Sequence, residues 1–156
     1  MGNVTTAGSY SHAFTAGDLS CATTAGHCAS AATAGSYSHA LTAGDFSCAT
    51  TAGNFSNAFT AGDDAHATTA GHLAHALTAG ARAKTSATGE NSIAAAFGAN
   101  SSARAADGGF IVLAQYNPDG DTVVAVKTAQ AGKDGIKPDT WYKLSPTGEF
   151  VEAEVE

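Results

Sequence analysis

Histidine, cysteine, aspartate and serine are the side chains of this 156-residue sequence that could do chemistry, and metal binding is the first chemistry to consider. All six histidines and all three cysteines lie before residue 80, and His72 and His75 are the closest pair. No Cys-x-x-Cys or His-x-x-x-His arrangement occurs. Zinc needs ligands that converge at about 2.0 to 2.3 Å, whereas neighbouring strands lie about 4.8 Å apart. The spacing therefore predicts no metal site and no other cofactor.

Calcium binding and catalysis receive no better support from the same side chains. Aspartate occurs in too few copies of the repeat to supply the six to eight oxygen ligands that calcium takes. Serine, histidine and aspartate recur with the period of the sequence, and no motif isolates a nucleophile, a base and an orienting acid. We expect a protein that is not an enzyme and has no catalytic residues.

The element that must position these side chains is a nine-residue repeat. Thr-Ala-Gly recurs every nine residues from Thr6 to Thr78, and weaker copies continue to Gly98. An uninterrupted period of this kind is typical of a solenoid. Glycine followed by a short polar residue indicates a turn, and the next five positions alternate variable with small residues, as a strand does. The sequence predicts an all-β fold, with a parallel β-solenoid over residues 1–106.

The number of units in each coil is the first open point. Residues 6–32 closely match residues 33–59, and a 27-residue spacing relates His12, His39 and His66. Three units per coil would stack these histidines in one ladder, whereas two would alternate them between faces. A recent duplication of three units would leave the same trace, and we favour two units, or 18 residues, per coil.

Which side of the strand faces inward is the second open point. With Thr as position one, positions five and nine carry large side chains such as Tyr10, Phe14, Tyr37 and Phe59, and positions six and eight carry Ser or Ala. We favour the large set inside, with smooth Ser/Ala faces outside. The opposite arrangement, a small Ser/Ala/Thr core with aromatic side chains outside, would create a binding surface. The candidate binding residues are Tyr10, His12, Tyr37, His39, His66, Trp141 and Tyr142.

Residues 107–156 are predicted to form a β-rich cap on the last coil. Phe110 to Tyr116 and Thr122 to Lys127 are β-prone runs separated by the turn sequence Asn117 to Asp121, which indicates a hairpin. Residues 141–144, 145–148 and 149–151 indicate a second hairpin. A cap of this kind closes the last coil and blocks edge-to-edge growth.

The charge distribution limits the kinds of macromolecule that the protein can bind. The net charge is −7, and all seven Lys and Arg lie from Arg82 onward, so the repeat is anionic at neutral pH. A basic footprint for DNA or RNA is absent, and no apolar run is long enough to span a membrane. Three cysteines without a signal peptide predict reduced thiols and a cytoplasmic or phage-associated protein. Because Met1 enters in mid-repeat, we expect either a preceding segment or a raw solenoid end.

Two resemblances extend this interpretation. Glu90 to Ala103, with Asn91-Ser92-Ile93 and Phe97-Gly98, resembles the head repeats of trimeric autotransporter adhesins, which implies a left-handed parallel β-roll and trimerisation. Lys137 to Leu144 and Gly148 to Glu152 resemble the C-terminal piece of phage, prophage and gut-bacterial proteins with Ala-Thr-Ala-Gly-like repeats. In that group a further N-terminal segment often precedes the repeats, and the resemblance implies no activity.

These observations lead to a functional expectation with two alternatives. We expect a non-catalytic, phage- or prophage-encoded scaffold that forms a homo-oligomer, a dimer or a trimer, and binds a macromolecular partner such as a protein. One alternative is an antagonist that mimics nucleic acid by an acidic rod; the other is a virion or adhesin-like spike piece that binds glycans. A continuous acidic stripe would favour the first alternative, and outward aromatic side chains would favour the second.

Overall fold

The computed structural model describes residues 2–154, which form sixteen β-strands and no helix. The strands are β1 (Asn3–Ala7), β2 (His12–Ala16), β3 (Cys21–Ala25), β4 (Ser30–Ala34), β5 (His39–Ala43), β6 (Cys48–Ala52), β7 (Asn57–Ala61), β8 (His66–Thr69), β9 (His75–Thr78), β10 (Lys84–Ala87), β11 (Ile93–Ala96), β12 (Ser102–Ala105), β13 (Phe110–Tyr116), β14 (Val123–Gln130), β15 (Tyr142–Leu144) and β16 (Phe150–Glu152).

The repeat winds into a parallel β-solenoid with two nine-residue units in each coil. Odd-numbered strands from β1 to β13 pair in parallel to form sheet A, and even-numbered strands from β2 to β12 form sheet B. Each residue pairs with the residue 18 positions later, as Thr5 does with Thr23 and His12 with Ser30. The prediction of a parallel solenoid is confirmed, and so is the preference for 18 residues per coil.

The preferred orientation of the strands is wrong, because the small residues face inward. In β7 the side chains of Ala58 and Thr60, at positions eight and one, are buried, whereas Phe59 at position nine lies on the outside. Position five lies at the corner in the left-handed region, with φ of 57° at Phe55, and its side chain is exposed. The two sheets thus lie on either side of a layer of Ala, Thr and Ser, as in the alternative arrangement.

Serine at position six links successive coils inside each corner. The Ser56 hydroxyl accepts a hydrogen bond from the Ser38 backbone N–H (3.1 Å) and donates one to the Gly35 carbonyl (3.0 Å). The same pair of contacts recurs at Ser38 and Ser92. Position six therefore needs a small hydroxyl, because buried backbone groups at the corner must find partners.

The short polar residue at position four also bonds across coils rather than within its own turn. A carboxylate oxygen of Asp45 accepts the N–H of Asp63 (2.9 Å), and the side-chain oxygen of Asn54 accepts the N–H of His72 (2.9 Å). These contacts lie on the outside of the corners. They account for the recurrence of Asp and Asn after the glycine.

Two hairpins complete the C-terminal end, as the sequence predicts. β13 takes the next place in sheet A, with Phe110 opposite Ile93, and β14 pairs with it in antiparallel orientation. β15 pairs with β12, and β16 with β15, so that sheet B ends in the second hairpin. The parallel stack thus extends one strand beyond residue 106. The turn before β13 is one residue shorter than the other turns, and it still places β13 at the edge of sheet A.

The cap contains the largest buried side chains of the molecule. Ile111, Leu113 and Tyr142 pack together with the alanines of the last coils, and Ile136 and Phe150 lie against them. In the coils before the cap, by contrast, the apolar part of the interior is the position-eight row, which consists of alanine from Ala13 to Ala76. The apolar core is therefore thin along the repeat and thick at its C-terminal end.

Candidate functional site

The outer surface of the seven parallel strands of sheet A, here called face A, is the candidate functional site. It comprises positions seven, nine and two of the units that supply strands β1, β3, β5, β7, β9, β11 and β13. Its residues are Asn3, Thr5, Ala7, Cys21, Thr23, Ala25, His39, Leu41, Ala43, Asn57, Phe59, Ala61, His75, Leu77, Ala79, Ile93, Ala95, Phe97, Phe110, Val112 and Ala114. None of these described residues is Asp, Glu, Lys or Arg, so face A carries no fixed charge.

A shallow apolar groove of about 420 Å³ lies in the middle of face A and runs parallel to the solenoid axis. Leu41, Phe59 and Leu77 form one wall, because position nine of each coil stacks on position nine of the next. The alanines at position two of the same coils form the other wall, and Phe97 lies at one end. Strand pairing thus arranges single apolar residues, 18 positions apart in the sequence, into one continuous surface.

The outer face of sheet B differs from face A in chemistry. Its position-nine row contains Thr50, Thr68 and Ser86, and the Ser86 hydroxyl accepts a hydrogen bond from the guanidinium Nε of Arg104 (2.8 Å). Lys84 adds a second positive charge at position seven. Phe14 is the one large apolar residue in the position-nine row of sheet B, and it is exposed in β2. The position-nine row is therefore apolar through β5, β7 and β9 of face A and polar through β6, β8, β10 and β12 of sheet B.

A ridge of apolar side chains, here called the apolar ridge, follows the turns that lead from sheet B to sheet A. It consists of Leu19, Tyr37, Phe55 and Leu73, which occupy position five of successive coils. The rings of Tyr37 and Phe55 stack with 5.0 Å between centroids and 5° between planes. The large side chains that the sequence suggested for the core are thus displayed at this corner.

The turns on the opposite edge, from sheet A to sheet B, mix aromatic and charged residues. Tyr10, Cys28, Phe46, Asp64 and Arg82 occupy position five there. Arg82 donates two hydrogen bonds to the Asp64 carboxylate, Nε to Oδ1 (3.1 Å) and Nη2 to Oδ2 (2.7 Å). The bidentate pair lowers the pKa of Asp64 through the hydrogen bond and the charge of Arg82.

The residues that the sequence singled out for binding do not form one site. Tyr10 and Tyr37 are exposed on opposite edges, His12 and His66 lie on sheet B, and His39 lies on face A. In the cap, the Trp141 ring is covered by the Arg104 guanidinium, whose carbon lies 5.0 Å from the ring centroid. Tyr142 is 3% exposed, and its hydroxyl accepts a hydrogen bond from the Lys137 N–H. Its side chain belongs to the core and offers no surface to a ligand.

Histidine and cysteine side chains come close together at one corner. The Cys28 Sγ and His27 Nδ1 atoms lie 3.0 Å apart, next to the Phe46 ring. Across residues 2–154, no group of three His, Cys, Asp or Glu side chains is arranged to hold a metal ion. The described part of the chain also contains no helix able to cross a membrane.

Leu41, Phe59 and Leu77 occupy position nine, one of the two positions whose large side chains the sequence favoured for the core. A usable signal was present in the degree of variation within the repeat. Positions one, six and eight hardly change between copies, whereas positions five and nine range from Phe to Thr and Arg. An interior shared by stacked coils demands the same shape in each copy, so the variable positions are the outer ones.

Comparisons of the chain with protein-family models, with curated proteins and with solved structures found no match.

Proposed function

We propose that this protein is a non-catalytic β-solenoid scaffold that self-associates through face A and binds a macromolecular partner along its free edges. The resemblance of its C-terminal piece to phage and prophage repeat proteins supports a phage or prophage origin. Self-association through face A would leave the apolar ridge exposed and free to bind a partner. A protein is the class of partner that an exposed apolar ridge fits best.

The absence of charge on face A is the observation that carries this proposal. The whole chain has 21 charged side chains and a net charge of −7, yet none of these side chains belongs to the three rows of face A. Apolar surface that faces water on one side of a sheet favours coverage by another surface. The charged side chains of the described residues lie at the corners, on β10 and β12 of sheet B and in the cap, which leaves face A able to approach a second apolar surface.

Nucleic-acid mimicry by an acidic rod receives little support from the placement of the acidic residues. Asp45, Asp63 and Asp64 lie on one edge, whereas Asp18 and Glu90 lie on the opposite edge. Arg82 also lies within 4 Å of two of these carboxylates. A phosphate mimic needs a dense and continuous line of negative charge, and here the line is divided and partly neutralised.

Glycan binding has one observation in its favour, the outward position of the aromatic side chains. Sugars pack on the faces of aromatic rings, but the Tyr37 and Phe55 rings already cover each other along the apolar ridge. Leu19 and Leu73 continue the column on either side. One face of each ring is therefore already covered, which leaves less flat ring surface for a sugar than two isolated rings would offer. A glycan array tests this alternative, and specific binding that Tyr37→Ala removes would favour it.

Size-exclusion chromatography with light scattering tests self-association. We expect a homo-oligomer at micromolar concentration whose mass does not fall when salt is raised to about 1 M, where charge interactions are screened within about 3 Å. A monomer at every concentration would contradict self-association. An oligomer that dissociates in salt would show that charged edges, not face A, hold it together.

A further inference from the structure

Resting on the proposed self-association, we propose that face A binds face A of a second copy, and that the two copies are related by a two-fold axis lying along β7. The axis places Phe59 of one copy against Phe59 of the other.

Across the three central strands of face A, each row of residues reads the same in both directions along the solenoid axis. Position nine runs Leu41, Phe59, Leu77 through β5, β7 and β9. Position seven runs His39, Asn57, His75 through the same strands, and position two is alanine in all three. Under a two-fold rotation along β7 this order places apolar residues opposite apolar residues and polar residues opposite polar ones, and a closed dimer uses one surface on both copies in this way.

The symmetry of the rows fixes which residues meet. Rotation about an axis parallel to β7 preserves position along the strand and reverses the order of the coils. Leu41 of one copy then lies opposite Leu77 of the other, and Phe59 lies opposite itself. The two solenoids pack back to back with their long axes antiparallel.

The position of Phe59 agrees with this axis. β7 is the fourth of the seven parallel strands of sheet A, which β14 extends by one antiparallel strand, and position nine is the middle row of the three, so Phe59 lies near the centre of the surface. Interfaces concentrate their binding free energy in a few central, well-covered aromatic residues. Leu41 and Leu77 on the adjacent strands provide the surrounding apolar contact.

The area of face A is sufficient for a specific dimer. Seven strands about 4.8 Å apart and five residues of about 3.3 Å each give about 560 Å² per copy, or about 1,100 Å² for the pair. Specific interfaces bury about 1,200 to 2,000 Å² in total, with about 1,000 Å² as the lower limit, so the dimer needs face A covered along its whole length. No like charges meet, because face A carries no Asp, Glu, Lys or Arg.

Cross-linking between engineered cysteines tests the register. Cys21, Cys28 and Cys48 are first replaced by serine, and Phe59→Cys, Leu41→Cys and Leu77→Cys are made separately. Packed sheets lie about 10 Å apart, farther than a disulfide spans, so a short bismaleimide is the cross-linker. We expect F59C to cross-link with itself, and the mixture of L41C and L77C to give a covalent dimer faster than either variant alone, because facing positions lie about 10 Å apart and the two copies of position 41 about 14 Å apart.

Self-cross-linking of L41C, and separately of L77C, as fast as that of F59C would overturn the axis along β7 in favour of one along the solenoid axis. Covalent trimers or ladders from F59C would overturn the closed dimer in favour of a heterologous assembly. Both results leave self-association intact. A wild-type chain that is monomeric in light scattering would overturn the proposed function as well.

A charge placed on the axis tests the surface itself. F59D brings two carboxylates together at the centre of the interface, and we expect the dimer to weaken by more than about 30-fold. The matched control is F14D, since Phe14 occupies the same repeat position on sheet B. Light scattering should show F14D as a dimer, and urea unfolding should show that both variants are folded. An F59D dimer as tight as wild type would overturn the assignment of face A.

Discussion

Threonine at position one has a hydroxyl group that the solenoid interior does not satisfy. Within residues 2–154, the Oγ1 atoms of eight such threonines are buried without a hydrogen-bond partner: Thr6, Thr15, Thr24, Thr33, Thr42, Thr51, Thr60 and Thr69. The exception is Thr78, whose hydroxyl lies 2.8 Å from that of Thr85 on the opposite sheet. Position eight faces position one across the interior. In the units after β1, position eight is alanine everywhere except at residue 85, which is threonine.

Replacing one of these unpaired hydroxyls by a methyl group should stabilise the fold. Thr51→Val keeps the shape of the side chain and removes a buried polar group, so we expect a gain of about 1 kcal/mol. Thr78→Val is the matched control; it breaks the pair with Thr85 and should cost about 1 kcal/mol. Urea unfolding of both variants measures the difference. Destabilisation of equal size at both positions would contradict the unpaired state of Thr51.

His66 is a titratable side chain whose folded environment disfavours its charged form. Partial burial lowers its pKa below the ordinary value of 6.5, the Lys84 ammonium on the neighbouring strand lowers it further, and the Asp64 carboxylate opposes both. The unfolded chain therefore takes up this proton at a higher pH than the folded chain does. The contribution of His66 to stability is complete above pH 6.5 and decreases as the pH falls towards its folded pKa.

Lys84→Gln should raise the pKa of His66 and reduce the loss of stability on acidification. Titration of the His66 imidazole protons by NMR measures the first effect, and urea unfolding at pH 7.5 and at about pH 5.5 measures the second. Lys127→Gln removes the same charge from an exposed site on β14 and should leave both quantities unchanged. An unaltered His66 titration in Lys84→Gln would show that burial alone sets the pKa.

At the scale of the element, the corner is the feature that makes the repeat rigid. A Cβ atom added at Gly53 would overlap the carbonyl oxygen of Gly35, the equivalent residue one coil earlier. The same overlap recurs from Gly26 to Gly98, whereas Gly17, in the first coil, meets no atom closer than 3.9 Å. Coil stacking, and not only turn conformation, thus explains why glycine recurs at position three.

Gly53→Ala should destabilise the protein by about 3 kcal/mol or more, because the overlap is with backbone that is fixed by two sheets. Gly17→Ala tests the turn conformation without the overlap, since it meets only the cost of its φ of 112°. We expect the smaller loss at Gly17, measured by urea unfolding. A greater loss at Gly17 than at Gly53 would mean that turn conformation, not coil contact, selects glycine.

Strands and hairpins could be predicted from the sequence because their signals are local. The run from Phe110 to Tyr116 and the turn after Asn117 predict the β13–β14 hairpin that the structure contains. The orientation of the strands could not be read in the same way. Alternation defines two sides but does not say which side faces inward, and size alone suggested the wrong one for Phe59.

At the scale of the whole molecule, stability is unevenly distributed. The repeat coils are filled by alanine, threonine and serine, whereas Ile111 and Leu113 are the largest fully buried side chains and both lie at the cap. Burial of large apolar side chains contributes most of the free energy that drives folding. The cap therefore stabilises the last coils, on which the preceding coils stack.

Leu113→Ala should cost about 3 kcal/mol, because it leaves a cavity between β13 and the cap. Val124→Ala, on the adjoining strand β14, is the matched control, since Val124 is 56% exposed. Its effect should stay within about 0.5 kcal/mol. Urea unfolding monitored by circular dichroism gives both values, and equal losses would contradict a core concentrated behind Leu113.

The sequence by itself determined the period, the parallel stacking and the two terminal hairpins, because each depends on residues close together in the chain or on identical units in register. The tertiary structure alone decided that Ala58 and Thr60 face inward and that Leu41, Phe59 and Leu77 form one outer surface. The reason is that the space between two sheets, not the size of any residue, selects the interior row. Only the stacking of coils 18 residues apart brings single side chains together into a face that can bind.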